Sequence, residues 1–201
     1  AFENGIFDLS RMAFRDGSPD DYISHTTGID YTEFCNNDYL VKEVNTFLEQ
    51  VQPQADMRAY VMKFFSSCLH GHTGDQKFPI WTGSGANGKS TIVEFFEECL
   101  GDYSCNLPIT VLTQKRGSSS AANPEIMRTK GKRFVWMAEP ENEDRIQIGY
   151  MKQLSGGDKI VARGLHKDPV EFKPQFKMIL MCNNLPTIPS TDGGTWRRIR
   201  V

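Results

Sequence analysis

Trp81-Thr82-Gly83-Ser84-Gly85-Ala86-Asn87-Gly88-Lys89-Ser90-Thr91 contains the spacing Gly-x-x-x-x-Gly-Lys-Ser. The residues before it, Lys77 to Thr82, predict a short strand, and those after it, Lys89 to Leu100, predict a helix closed by Gly101. Glycines at 83, 85 and 88 let the backbone curl so that successive N–H groups face phosphate oxygens. Lys89 sets its charge against the outer phosphates, and the Ser90 hydroxyl suits Mg2+. The helix that follows aims its positive end at the same anion. Gly83, Ser84, Gly85, Ala86, Asn87, Gly88, Lys89, Ser90 and Thr91 are therefore the candidate binding set for a nucleoside triphosphate with magnesium. Pro79 cannot donate to a central ladder, so it is expected near the beginning of its strand.

Outward from this loop the pattern after Asp75 is alternating α/β, which predicts a P-loop core with a central parallel sheet. Arg133 to Ala138 and Phe176 to Cys182 are compact apolar runs suited to buried parallel strands. Asn123-Pro124-Glu125 reads as a helix start, with Asn as N-cap and Pro in the first turn. Lys159 to Arg163 and Val170 to Lys173 read as the arms of a hairpin whose tip is Gly164-Leu165-His166-Lys167-Asp168.

A P-loop hydrolase needs an acidic group at the end of a neighbouring strand, to hold the magnesium shell and polarise water. Glu139 fits that need, with Glu141 two residues on; plain solvated carboxylates beyond a strand would read the same way. Asn183, at the tip of the strand ending at Cys182, can sense a γ-phosphate, or Asn183-Asn184-Leu185-Pro186 can simply turn the chain. Arg197 and Arg198 follow the flexible Gly193-Gly194. They can reach a neighbour's phosphate as an arginine finger, or sit as ordinary surface arginines.

Upstream, turn formers punctuate residues 1–41 too often for a long helix, so a small strand-and-turn segment is expected there. Residues 42–75 change rhythm. Val44, Phe47, Leu48 and Val51 recur at helical spacing, as do Tyr60, Val61, Phe64, Phe65 and Leu69. Pro53 breaks this into two helices and Gly71 ends the second, giving a helical layer ahead of a core over 76–201.

The 201 residues, 39% hydrophobic and 24% charged, describe a globular chain with no run long enough to span a bilayer. Five scattered cysteines without a C-x-x-C pair argue for a reducing, intracellular setting and against a zinc site. His70 and His72 have no acidic or cysteine partner nearby and read as loop residues. The net charge of −2 hides an asymmetry: residues 1–50 hold 3 Lys/Arg against 10 Asp/Glu, and residues 151–201 hold 9 against 4. A basic C-terminal stretch suits an anionic partner such as nucleic acid. The chain starts at Ala1 and stops at Val201, which reads as a piece of something larger, cut where a last core strand should begin.

Five stretches in order carry a resemblance: Gly-Ser-Gly-Ala-Asn-Gly-Lys-Ser-Thr (83–91), Gly-Lys-Arg-Phe-Val-Trp-Met-Ala-Glu (131–139), Gln-Leu-Ser-Gly-Gly-Asp-Lys-Ile-x-Ala-Arg (153–163), the strand over 176–182 with its Asn183-x-Leu185-Pro186 end, and Thr-Trp-Arg-Arg-Ile (195–199). Together they resemble the superfamily 3 helicase domain of the primase-helicases of large DNA viruses, phages and plasmids. Phe2-Glu3-Asn4-Gly5-Ile6-x-Asp8-Leu9 resembles the segment preceding that domain, so the likeness spans nearly the whole chain.

The resemblance implies an AAA+-type core that assembles as a homo-hexameric ring around DNA, with ATP at subunit interfaces and a role in DNA replication. It implies Lys89 and Ser90 on the phosphates and Mg2+, Glu139 as the acidic strand end, and Asn183 as the sensor. It also implies a trans-acting arginine on Arg198, with Arg197 as runner-up. Pro140 separates Glu139 from Glu141 where many relatives have an adjacent acidic pair, which leaves the general base open between them. The hairpin is where such helicases grip single-stranded DNA, which implies His166 and Lys167 at the tip and Arg163 and Lys159 on the arms. If viral, the protein would work in the host cytoplasm or nucleus. The rival readings are a P-loop kinase, which would need an arginine-bearing lid, and a nucleotide-dependent oligomeric scaffold.

Overall fold

Six consecutive residues, Lys177–Cys182, are all buried, which only a strand covered on both faces allows. The computed structural model describes residues 1–115, 122–140 and 144–201. In chain order its strands are β1 (Ile6–Asp8), β2 (Ala13–Arg15), β3 (Phe78–Thr82), β4 (Ser104–Asn106), β5 (Phe134–Ala138), β6 (Ile160–Ala162), β7 (Val170–Phe172), β8 (Lys177–Cys182) and β9 (Ile199–Arg200). Its helices are α1 (Tyr39–Val51), α2 (Ala55–Cys68), α3 (Lys89–Leu100), α4 (Thr110–Thr113), α5 (Pro124–Arg128), α6 (Ile148–Gly156) and α7 (Gly193–Trp196). They divide into two compact units, one of Ala1–His70 with Ala86–Tyr103, the other of Gly71–Gly85 with Ser104–Val201.

The second unit is built on a five-stranded sheet of order β4-β5-β8-β3-β9, parallel at every pairing. Alternation of side chains sends Phe78, Ile80, Val135, Met137, Met178 and Leu180 into one continuous core. Lys177 opens the central strand yet is buried, and its amine reaches Asp75 at 2.6 Å. Pro79 is the second residue of β3, as expected. Phe78 N–H donates to Arg198 on the β9 side, so the missing donor of Pro79 faces β8, where pairing begins only at Ile80. The hairpin of β6 and β7 is antiparallel, with Ile160 opposite Phe172 and Ala162 opposite Val170.

The first unit holds the β1–β2 hairpin and three helices. Arg15 ties that hairpin to the turn after it, bonding Asp8 at 3.3 Å and Asp21 at 2.6 Å. The Ser10 hydroxyl above all, then Arg15, holds the Asp8 carboxyl down at about 2, and Arg15 does the same to Asp21. Phe14 stacks on Tyr31 at 4.5 Å. In α2 the buried residues are Val61, Phe64, Phe65 and Cys68; Val61, Phe64 and Phe65 are in the expected stripe, whereas Tyr60 and Leu69 of that stripe are exposed and Cys68 is buried in addition. Pro53 separates α1 from α2, again as expected. Gly101 closes α3 at φ 50°, and a Cβ there would lie 2.2 Å from the Thr27 carbonyl oxygen.

Two elements differ from expectation. Strand β4 has only three residues and no apolar run to announce it. Helix α6 buries Met151, Leu154 and Ser155 but contains Gly149 and ends in Gly156, so its period is too short and interrupted to stand out. The expected helix start at Asn123 is present, but its side chain does not cap α5. It accepts instead from the Arg163 N–H at 2.7 Å.

Candidate nucleotide site

Strands β5, β8 and β3 are parallel neighbours, so their C-terminal ends share one edge of the sheet. Register pairs Ala138 with Met181 and Thr82 with Cys182. The next residues, Glu139, Asn183 and Gly83, therefore start three loops side by side, with Glu139 and Gly83 two strand spacings, or about 10 Å, apart. The crevice beyond the carboxyl ends of such a sheet is where ligands bind. Glu139 is exposed with φ 56°, and its N–H donates to the Met181 carbonyl at 3.1 Å, extending the ladder one residue before the chain turns. Asn183 is exposed, and its carbonyl accepts from the Thr82 hydroxyl at 3.1 Å. Glu141 lies outside the described residues.

The glycine loop runs from the end of β3 into α3, and the boundary between the two units passes through it between Gly85 and Ala86. Its curl differs from expectation at one position. Gly83 and Gly88 have positive φ, but the left-handed residue between them is Ala86 at φ 58° rather than Gly85. A left-handed alanine costs about 1 kcal/mol, so the surrounding loop must hold it there. Gly88 is needed for a second reason: at φ 77° its Cβ would lie 2.6 Å from Val51 Cγ1. Helix α3 begins at Lys89 after Gly88, which has no side chain to cap it; the Lys89 N–H donates to Asn87 Oδ1 at 3.4 Å, and the positive end of the helix dipole lies at the loop. Lys89 Nζ donates to Asn87 Oδ1 at 3.1 Å. Ser84, Gly85, Ala86, Asn87, Ser90 and Thr91 are exposed.

The donors present suit magnesium. Ser90 in the first unit and Glu139 in the second each carry an exposed oxygen of the hard type Mg2+ takes, and no cluster of three His, Cys, Asp or Glu that could cage a metal exists among the described residues. Mg2+ is characteristically bound by few protein oxygens plus phosphate and water.

Arg197 and Arg198 sit at the other edge of the sheet. The Phe78 N–H donates to the Arg198 carbonyl at 2.7 Å, at the opening of β3 and about 13 Å along the strand from Thr82. Arg198 is only 9% exposed; its Nη1 donates to the Gly194 carbonyl at 2.6 Å and its Nε has no partner among the described residues. Burial first, and then the charge of Arg197, pull its pKa below the ordinary arginine value. Arg197 is exposed and donates to Gln76 Oε1. Asp192 caps α7 through the Thr195 N–H at 3.0 Å and bonds Lys152 Nζ at 2.7 Å, which pulls its pKa well below the carboxylate range. Neither Lys152 nor Gln76 belongs to a motif, and sequence reading had no signal for either.

Of the four residues expected on nucleic acid, His166 and Lys167 are exposed in the hairpin turn, His166 with φ 56°. Lys159 is paired with Glu171 across the hairpin at 2.7 Å. Arg163 is half-buried at the base, where its carbonyl accepts from the Asn123 N–H at 2.9 Å and its N–H donates to Asn123 Oδ1 at 2.7 Å.

A parallel sheet with a Gly-Lys-Ser loop after β3, an acidic residue after β5 and an asparagine after β8 defines a P-loop α/β domain. The profile described as "Family of unknown function (DUF5906)" matches residues 81–198, more than half of the chain, and the chain belongs to that family. Residues 1–53 match the profile "D5 N terminal like". A protein named "Putative helicase" of Acanthamoeba polyphaga mimivirus is 49% identical over 200 residues, covering all of this chain and 21% of that protein. Another "Putative helicase", of Invertebrate iridescent virus 6, is 35% identical over 208 residues, with 100% and 21% covered. The chain thus spans about a fifth of the length of the curated relatives it matches. Among solved structures, the apo form of the NrS-1 C-terminal region superposes with a TM-score of 0.60 at 16% identity, over 79% of this chain and 36% of that one. That likeness establishes the fold.

Proposed function

We propose that this chain is the ATP-hydrolysing motor part of a replicative DNA helicase, acting with Mg2+ as a homo-hexameric ring. The observation that carries the reading is the opposition of the two sheet edges. Glu139, Asn183 and the start of the glycine loop share the C-terminal edge, whereas Arg197 and Arg198 lie at the other end of β3. Arginines so placed cannot serve the loop of their own sheet, so the charge they supply to a transferring phosphate belongs to the next copy's ATP. Arg197, exposed, takes the reaching role, and Arg198, buried against Gly194, holds the turn that presents it.

In this reading Lys89 neutralises the outer phosphates and Ser90 binds Mg2+. Glu139 takes the proton of the water that attacks the γ-phosphorus as the bond to the ADP oxygen breaks. Asn183 orients that water. DNA falls to the β6–β7 hairpin, whose turn carries the exposed His166 and Lys167. His166 and Lys167 grip the backbone of one strand without reading sequence. The test is ATP turnover by the full-length protein with and without single-stranded DNA, for wild type, Lys89→Ala and His166→Ala/Lys167→Ala. Turnover stimulated by DNA in wild type, unstimulated in the double variant and lost in Lys89→Ala is expected. Turnover indifferent to DNA in an assembled wild type would leave a nucleotide-dependent scaffold instead.

A further inference from the structure

We propose that Val51 and Arg58 form a buttress that positions the phosphate loop, so that the N-terminal helices are part of the nucleotide site. The proposal rests on the nucleotide-binding reading above. Val51 is the last residue of α1, and its two methyl groups fill the space where a side chain on Gly88 would stand: a Cβ there would lie 2.6 Å from Cγ1 and 2.9 Å from Cγ2. Gly88 is the left-handed residue that turns the loop into α3, immediately before Lys89. A residue packed this closely limits how far the turn can relax, and with it the aim of the Lys89 amine and the first N–H groups of α3.

The end of α1 is itself fixed. Its last carbonyls have no helical partner. Arg58 of α2 reaches back, its Nη1 donating to the carbonyl of Gln52 at 2.9 Å and of Pro53 at 3.2 Å, while Nη2 lies 3.6 Å from Glu49. Two ring pairs lock α3 to the same helices, Phe47 with Phe95 at 6.3 Å and Phe65 with Phe96 at 4.0 Å. The phosphate loop is therefore backed by a residue within the segment that matches the D5 N-terminal profile. Neither Val51 nor Arg58 touches nucleotide in this scheme; both are positioning residues.

The experiment is calorimetric titration of MgATP into the full-length protein, with thermal melting of each variant alongside. Val51→Ala and Arg58→Ala should each weaken MgATP binding about fivefold or more. Val51→Ile, which keeps both branches, should bind as wild type does. Val61→Ala, which trims a buried α2 residue, should lower the melting temperature and leave the affinity unchanged. Unchanged affinity in Val51→Ala and Arg58→Ala overturns the buttress, as does an equal loss in Val61→Ala, which would mark general destabilisation. A wild type that binds no MgATP overturns the nucleotide reading itself, and the buttress with it.

Discussion

The Thr82 hydroxyl donates to the Asn183 carbonyl at 3.1 Å, tying the last residue of β3 to the first residue beyond β8. The bond links the start of the glycine loop to the asparagine proposed to orient water. A neutral hydrogen bond of this kind contributes about 1 kcal/mol, enough to matter to a group whose placement must hold within fractions of an ångström. Thr82→Val keeps the β-branched shape and removes the donor. Expected is a severalfold fall in the kcat of ATP hydrolysis with KM little changed, which steady-state turnover of the full-length protein measures. A rise in KM with kcat unchanged would instead place the effect on binding.

Arg15 links Asp8 and Asp21 in the N-terminal hairpin, and both carboxyls are held at about 2 against an ordinary 3.8. A carboxylate whose folded pKa is depressed contributes stability above its unfolded pKa and loses it as pH falls through the folded one. The contribution of this triad is therefore complete above about pH 4 and is lost on acidification towards pH 2. Arg15→Met should lower the melting temperature at pH 7. The difference between wild type and variant should narrow between pH 4 and 2, as thermal melts across that range would record.

Lys177 is buried with Asp75 as its ion-pair partner, at the opening of the central strand. Removing the partner strands a charge among apolar neighbours. Asp75 is partly exposed, so Asp75→Ala should cost about 2 kcal/mol, less than a fully buried pair would. Asp75→Asn, which keeps an acceptor oxygen, should lose less. Denaturant unfolding compares the two. Lys177→Met with Asp75→Ala together should recover part of the loss, since an apolar residue replaces the orphaned amine.

The phosphate loop, α3 and the two apolar strands were legible because each rests on a local signal: a spacing of glycines, a helix closed by Gly101, a run of buried residues. The neighbourhood of Glu139, Asn183 and Gly83 was expected from what a P-loop needs and from the family resemblance, not from any local signal. It depends on β8 lying between β5 and β3, an adjacency of strands that are dozens of residues apart in sequence. The motif Trp196-Arg197-Arg198 was plain, but which arginine is buried follows from Gly194 and the start of β9, not from the motif. Strand β4 and helix α6 stayed hidden because three residues carry no period, and nine with two glycines carry a weak one. Val51 read as one more apolar residue on a helix face; its place against Gly88 is a tertiary contact with no trace in spacing.

The hairpin separates exposed charge from charge already spent. Lys159 is engaged with Glu171, whereas His166 and Lys167 stand exposed in the turn. Affinity for single-stranded DNA falls with salt in proportion to the phosphates neutralised, with a slope of about 0.7 per contact on logarithmic axes. Lys167→Ala should weaken binding of any single strand regardless of its sequence and reduce that slope by about 0.7 per bound chain. Lys159→Ala should change it less, because its amine is engaged with Glu171 and must leave that exposed pair to meet a phosphate. His166→Ala should likewise weaken binding of any single strand regardless of its sequence. Fluorescence anisotropy of a labelled oligonucleotide, across a salt series, reads all three. An effect of Lys159→Ala as large as that of Lys167→Ala would move the DNA path from the turn to the arms of the hairpin.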